Sequence, residues 1–327
     1  MIANALRRFV TAAMLLCAAL AGGAALAESY PDHPIKWIVP WPAGGTTDVI
    51  ARNVAQTVSE KLGVPIVIEN KAGAAAVIGM NTVAKAPPDG YTFLVSDAAV
   101  ATAPSLNKSM PFDTTRDLTA VAMFITVPHV VIVSPASGIT SLDALIARAR
   151  KDPDALYFSS GGIGSPLHLA GEAVRTTAGI RWVHVPYKGG APAILAVMSG
   201  DAQVVVPSLP SVLQQIQSGK LVGLAVTGPT RVASAPGIPS VAELGYPGAL
   251  ALGWIGIHAP AGTPKAILQK VEQACRAALA DPGLRQRLAE QGGDIVQDPS
   301  GAAYAKFVAA EAARWDGVVK AAGITAE

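Results

Sequence analysis

Three times in this chain a strand-like run gives way to a glycine-rich stretch that opens a helix-like pattern: residues 42–48 (PAGGTTD), 159–165 (SSGGIGS) and 187–190 (YKGG). A repeated strand–loop–helix junction constrains the fold strongly, because alternating strands and helices bury their apolar faces as an α/β layer architecture. Strand-like runs are expected at 35–39, 65–69, 91–96, 130–133, 156–159, 182–185, 204–207 and 221–227. Helices are expected at 48–62, where Ala51, Val54, Val58 and Leu62 recur every three or four residues, then at 78–85, 141–151, from Pro166, and at 192–198. A long one runs from Thr263-Pro264 to 281–283, and two more follow. Thr140 with Asp143 reads as a capping box for 141–151, and Thr263 as an N-cap with proline at the first helical position. This order implies largely parallel sheets. Residues 127–130 and the Pro/Gly-rich stretch 235–253 are where the chain would cross between two lobes, with the last helices returning to the first.

The first 27 residues are a different kind of object. Arg7 and Arg8 precede an apolar run from Phe9 to Leu20, and Ala25-Leu26-Ala27 is a small-x-small cleavage pattern. A cleaved signal peptide is expected, cut after Ala27, rather than a membrane anchor. The residue before the arginine pair is Leu6, where a twin-arginine signal usually has serine, and Leu16 before Cys17 is too large for lipoprotein cleavage. Removal of the signal leaves 23 of the 25 Lys and Arg against 23 Asp and Glu. That balance excludes a basic nucleic-acid surface. It also leaves Cys275 as the single cysteine, so the exported chain holds no internal disulfide and depends on its core.

Ligands of α/β folds sit where strand C-termini meet helix N-termini, because the first amides of a helix lack partners and its dipole favours an anion. In the first junction Gly44 and Gly45 let a ligand approach the backbone, and Thr46 and Thr47 add hydroxyls. Asp48 repels an anion and reads instead as a cap or an acceptor for a neighbouring N–H. The same residues would also make a tight β–α turn, and spacing alone does not choose. The triplet after Gly45 is Thr-Thr-Asp, not the Lys-Ser/Thr of a nucleotide loop. Gly162-Ile163-Gly164 begins a dinucleotide fingerprint whose last position is Leu167. Ser165 before Pro166 reads as a helix cap; a secreted serine hydrolase built on Ser165 and His168 is the rival, without the usual G-x-S-x-G elbow. His33, His129, His168, His184 and His258 show no metal-ligand spacing, and no metal or cofactor is expected. Lys188 is the one cation in the three loops, and Trp41 and Tyr187 either wall a pocket or pack in the core.

Read in order, "YPDHPIKWIVPWPAGGTTDVIAR", "VIENKAGAAAVIG", "AKAPPDGYTFLVS", "SSGGIGSPLHLAGE", "HVPYKGGAPAI" and "GKLVGLAVTGPTR" resemble the substrate receptors of tripartite tricarboxylate transporters, the Bug family. The resemblance covers essentially the whole mature chain. It implies a two-lobed periplasmic binding protein fold of type II-like form, with a ligand cleft between the lobes: residues 28–127 with 246–327 in one, 128–245 in the other. It implies a non-catalytic receptor acting as a monomer that takes a small organic acid and delivers it to a membrane permease; a ligand-responsive sensory role is a further alternative. Carried over by motif, the ligand-binding positions are Ala43, Gly44, Gly45, Thr46, Thr47 and Asp48 with Trp41, then Ser160, Gly161, Gly162, Gly164, Ser165 and His168, then Tyr187, Lys188 and Gly189. The chain departs from the family at Trp41, where phenylalanine is usual, at 73–76 (GAAA for GAGG), and at 200–204.

Overall fold

The computed structural model describes residues 30–107, 109–153 and 155–322. The expected signal peptide and its cleavage site lie outside the described residues. Two sheets organise the chain. In the first, β1 (Ile35–Val39) pairs in parallel with β2 (Ile66–Asn70) and β3 (Thr92–Ser96). The long β4 (Leu118–Pro128) and β10 (Leu252–Pro260) run antiparallel to each other, β10 lies against β3, and β11 (Asp294–Ile295) closes the far edge on β4. In the second sheet β6 (Tyr157–Ser160) pairs in parallel with β7 (Val183–Pro186) and β8 (Val204–Val205), while β5 (Val130–Val133) is antiparallel to β8 and to β9 (Val222–Val226).

Both sheets are therefore mixed, not largely parallel. The reason is the route of the chain. It leaves the first sheet along β4, enters the second at β5 after a single residue, His129, and returns along β10. An outgoing and a returning strand that lie side by side must run in opposite senses. β4 carried no strand signal because nearly all of it is buried, so its sequence (LTAVAMFITVP) shows no apolar–polar alternation.

The expected helices are present with shifted ends, and two more, over 99–106 and 213–217, were not expected. Helix α1 (Thr46–Leu62) starts two residues before Asp48 and buries Ile50, Ala51, Val54 and Val58; Gly63 ends it in the left-handed conformation, with φ of 75°. Then come α2 (Val77–Ala84), α3 (Ala99–Leu106) and α4 (Leu142–Lys151). Ser141, not Thr140, caps α4: its Oγ accepts from Ala144 N, because a cap must stand three residues before the amide it reaches. Helix α5 (Pro166–Ala178) is capped by Ser165, and α6 (Gly190–Ser199) starts two residues before the expected Pro192. After the short α7 (Leu213–Gln217) come α8 (Lys265–Leu279), α9 (Pro282–Glu290) and α10 (Gly301–Ala322). Thr263 does not cap α8; its hydroxyl donates to Pro260 O.

Helix α9 packs on α1, while α10 packs on α3 and β4 and reaches α5. A buried chain of hydrogen bonds fixes α10 to the first sheet: Ser96 Oγ lies 2.7 Å from His258 Nδ1 and 2.9 Å from the Tyr304 hydroxyl. Among the described residues no helix is long and apolar enough to cross a membrane.

Candidate functional site

The C-terminal ends of the parallel strands in both sheets carry the glycine-rich junctions. At the first, β1 ends at Val39 and the loop 40–45 leads into α1, whose first intrahelical bond is Val49 N to Gly45 O. The amides of Thr46, Thr47 and Asp48 therefore precede the helix's own ladder. Ala43, Gly44 and Gly45 are exposed, Thr46 is half-buried, and Thr47 and Asp48 are buried. No side chain caps this helix.

The buried Asp48 carboxylate is turned onto its own loop and its neighbours. Its Oδ2 accepts from Gly44 N at 2.9 Å and Arg52 Nε at 3.0 Å, and its Oδ1 from Asn70 Nδ2 at 2.9 Å. Asn70 also donates to Trp41 O, and Arg52 to Asn70 Oδ1. Burial alone would raise the Asp48 carboxyl; Arg52, Gly44 and Asn70 together outweigh it and hold the group below the usual aspartate value. The carboxylate is thus ionised and fully engaged as a loop brace. Trp41 is half-buried, and its indole N–H donates to Asp97. Thr47 Oγ1 donates to the same carboxylate.

The second junction follows β6. Ser160 Oγ lies 2.6 Å from His184 Nε2 and accepts from Gly162 N at 3.2 Å. Gly164 N donates to His168 Nδ1 at 3.0 Å, and His168 N donates to Ser165 Oγ at 3.3 Å. The rings of His168 and His184 stack with centroids 4.0 Å apart. An imidazole whose Nδ1 accepts an amide proton is neutral and carries its own proton on Nε2. Burial, with the neighbouring His184 and Arg175, pushes His168 down to about 3. Burial also lowers His184. Ser165 and His168 each engage a backbone amide, so the pair is a helix cap with a structural imidazole, not a nucleophile beside its base.

The third junction lies against the second. Tyr187 N donates to Ser160 O at 2.9 Å. A Cβ on Gly161 would stand 3.2 Å from Gly189 C and Gly190 N, so glycine lets these two loops approach without either backbone giving way. Tyr187 packs beside the apolar side of α6, and Lys188 is exposed.

The two sheets' loops meet. Thr46 Oγ1, at the N-terminus of α1, lies 2.8 Å from Ser208 Oγ, just beyond β8. Leu106, at the end of α3, packs against Gly164, where any Cβ would collide with it. The structure thus faces the first junction with the end of β8, and the second with the end of α3. Sequence reasoning missed Ser208, Asp97, Asn70 and Leu106. Asn70, Asp97 and Ser208 sit at or just after a strand C-terminus, which was the available signal; none lies in a glycine-rich stretch. Among the described residues no three His, Cys, Asp or Glu side chains converge on a metal position.

The profile of the tripartite tricarboxylate transporter family receptor, TctC, matches residues 50–324. The chain belongs to this family. Protein BugT of Bordetella pertussis is 38% identical over 300 residues, covering 91% of each chain. The solved periplasmic binding protein BugD superposes with a TM-score of 0.84 at 32% identity, covering 91% of this chain and all of that one. An R. palustris protein solved with adipate superposes at 0.85, also at 32% identity, with the same coverage. The family is one of transporter receptors and BugD is a periplasmic binding protein, not an enzyme, which agrees with the engaged Ser165 and His168. The fold is the two-lobed α/β architecture of periplasmic binding proteins, and the chain is a periplasmic solute-binding protein of this family.

Proposed function

We propose that this receptor captures one small organic acid, a carboxylate of the class that includes adipate, by closing its two lobes on it, and then delivers it to the membrane permease of a tripartite transporter. The observation that carries the reading is the 2.8 Å approach of Thr46 Oγ1 to Ser208 Oγ, which brings the open N-terminus of α1 against the opposite lobe. The residues in this reading are those of the first jaw, Ala43 to Asp48 with Trp41, and of the second, Ser160 to Ser165 with His168 and the Tyr187–Lys188–Gly189 turn. In the second jaw the amides of Gly162, Gly164 and Ser165 already donate within the loop. The acid therefore meets that jaw at the remaining amides and hydroxyls.

Lobes of residues 28–127 with 246–327, and of 128–245, would turn about the β4–β5 and β9–β10 crossings. A ligand that touches both lobes selects the closed arrangement. Each hydrogen bond to a bound carboxylate contributes roughly 1.5–3 kcal/mol, and the helix terminus adds about 0.3–1 kcal/mol. Such terms hold an anion without an arginine. Export with cleavage after Ala27 and action as a monomer complete the reading, supported by the N-terminal sequence and by the receptor family. The test is a thermal-shift screen of the mature protein against organic acids, sugars and amines, since a ligand of the native state raises the melting temperature. An acid should do so. If sugars or amines stabilise the protein and no acid does, the reading is wrong.

A further inference from the structure

We propose that Asp97 is the positioning residue of the first jaw: one of its carboxylate oxygens ties Trp41 to Thr47 and so sets the span across which the loop between them offers its amides to the bound acid. This rests on the carboxylate-receptor reading above. Asp97 stands directly after β3 and is only 7% exposed. Its Oδ2 accepts both the Trp41 indole N–H and, at 3.1 Å, the Thr47 hydroxyl. Trp41 and Thr47 bracket residues 42–46. One buried atom therefore holds both ends of the loop that carries Gly44, Gly45 and Thr46.

The other oxygen has a separate task. Asp97 Oδ1 accepts from Ala99 N at 3.0 Å, which orders the entry to α3. The donors to Asp97 are all neutral. Burial pushes its carboxyl above the ordinary range, and the bonds from Ala99, Trp41 and Thr47 oppose that without cancelling it. A group so placed is useful only while its donors stay in register. Removing the Trp41 N–H leaves a buried acceptor short of a partner; removing the acceptor releases both ends of the loop. Asp48 fastens the same loop from the inside, through Gly44 N. The jaw is thus held at its two ends by Asp97 and at its middle by Asp48.

The two oxygens allow positioning to be separated from simple capping. Asp97→Ala removes the shared acceptor outright, whereas Trp41→Phe removes one of its donors and leaves the bond from Ala99 N in place. Wild type is first titrated by calorimetry with adipate, succinate, citrate, glutamate and benzoate. Asp97→Ala, Trp41→Phe and the double variant are then titrated with the acid that bound. Each single variant should weaken binding about tenfold or more, the loss of a hydrogen bond to a charged group. Trp41→Phe should cost clearly less in the Asp97→Ala background than in wild type, because the shared bond is already gone. A second readout needs no ligand. The Trp41 indole N–H resonance, assigned by its absence in Trp41→Phe, should shift on Asp97→Ala, and the amides of 44–47 should exchange faster in both single variants. Wild-type affinity in Trp41→Phe and Asp97→Ala, or additive single effects with unchanged loop exchange, would overturn the proposal. If wild type bound none of the five acids, the small-carboxylate reading would fail and this proposal with it.

Discussion

The two glycine-rich junctions proposed as the jaws of this receptor are braced with opposite chemistry. Behind the first stand two aspartates, Asp48 with Arg52, Asn70 and Gly44 N, and Asp97 with neutral donors only. Behind the second stand two stacked imidazoles, His168 holding Gly164 N and His184 beside Ser160. Each loop is thereby fixed by side chains that lie behind it, and its remaining amides stay open. The difference is that acid acts on the two sets of braces in different ranges.

The sign of each contribution follows from the direction of its shift. His168 and His258 are pushed down to about 3 and His129 to about 4, chiefly by burial. The native state keeps these rings neutral, whereas the unfolded chain binds protons below about 6.5. Their contribution is fully present above that value and is lost as the pH falls toward 4 and 3. Asp48, lowered, contributes stability that persists above the ordinary aspartate value and disappears only below it. Asp97, raised, contributes in the opposite sense: what it gives is present at low pH and is lost as the pH rises through its native value.

The largest expected effect follows from the histidines. Lowering the pH from 6.5 to 5.5 should cost about 1 kcal/mol for each of His129, His168 and His258, on the order of 3 kcal/mol in all, read from urea midpoints. Amide exchange should speed up around 160–168 before it does around 41–48. The reverse order would break the comparison. Next is His168→Ala, which removes a buried ring and leaves Gly164 N without its acceptor. It should destabilise the protein by about 2–4 kcal/mol in urea unfolding. Asp48→Asn should cost less, about 1–2 kcal/mol, because the Arg52 side chain of the broken pair is half in water. The smallest effect concerns the loop before α2. Ala74, Ala75 and Ala76 all adopt positive φ, of 47°, 49° and 78°. Ala75 is exposed, so Ala75→Gly relieves strain without emptying a core position and should stabilise by up to about 1 kcal/mol. A loss of stability there would show that this turn is not strained.

Much of the architecture was legible in local signals. The period of α1 and its Gly63 stop, the proline start of α5 and the parallel strands β1, β2 and β3 all follow from sequence rules that act over a few residues. β4 was not legible, because burial on both faces erases the alternation that marks a strand. The caps of α4 and α8 were misplaced because Thr140 and Ser141 are chemically equivalent candidates, and Thr263 finds a nearer acceptor in Pro260 O. Within the site, glycine-rich loops announce themselves because loops that pack backbone on backbone, as Gly161 does on Gly189, favour glycine. The braces do not. Asp97 lies 50 residues from Thr47 and Ser208 lies 162 from Thr46, and nothing local to either residue reveals its partner.

The most direct test of the two-jaw account is amide hydrogen exchange on the mature protein, with and without a saturating organic acid that raises its melting temperature. The account predicts that protection rises together at 44–48 in the first jaw and at 161–163 in the second, with Thr46 and Ser208 segments slowed in the same titration. Protection confined to one jaw, or to a surface away from both, would contradict it.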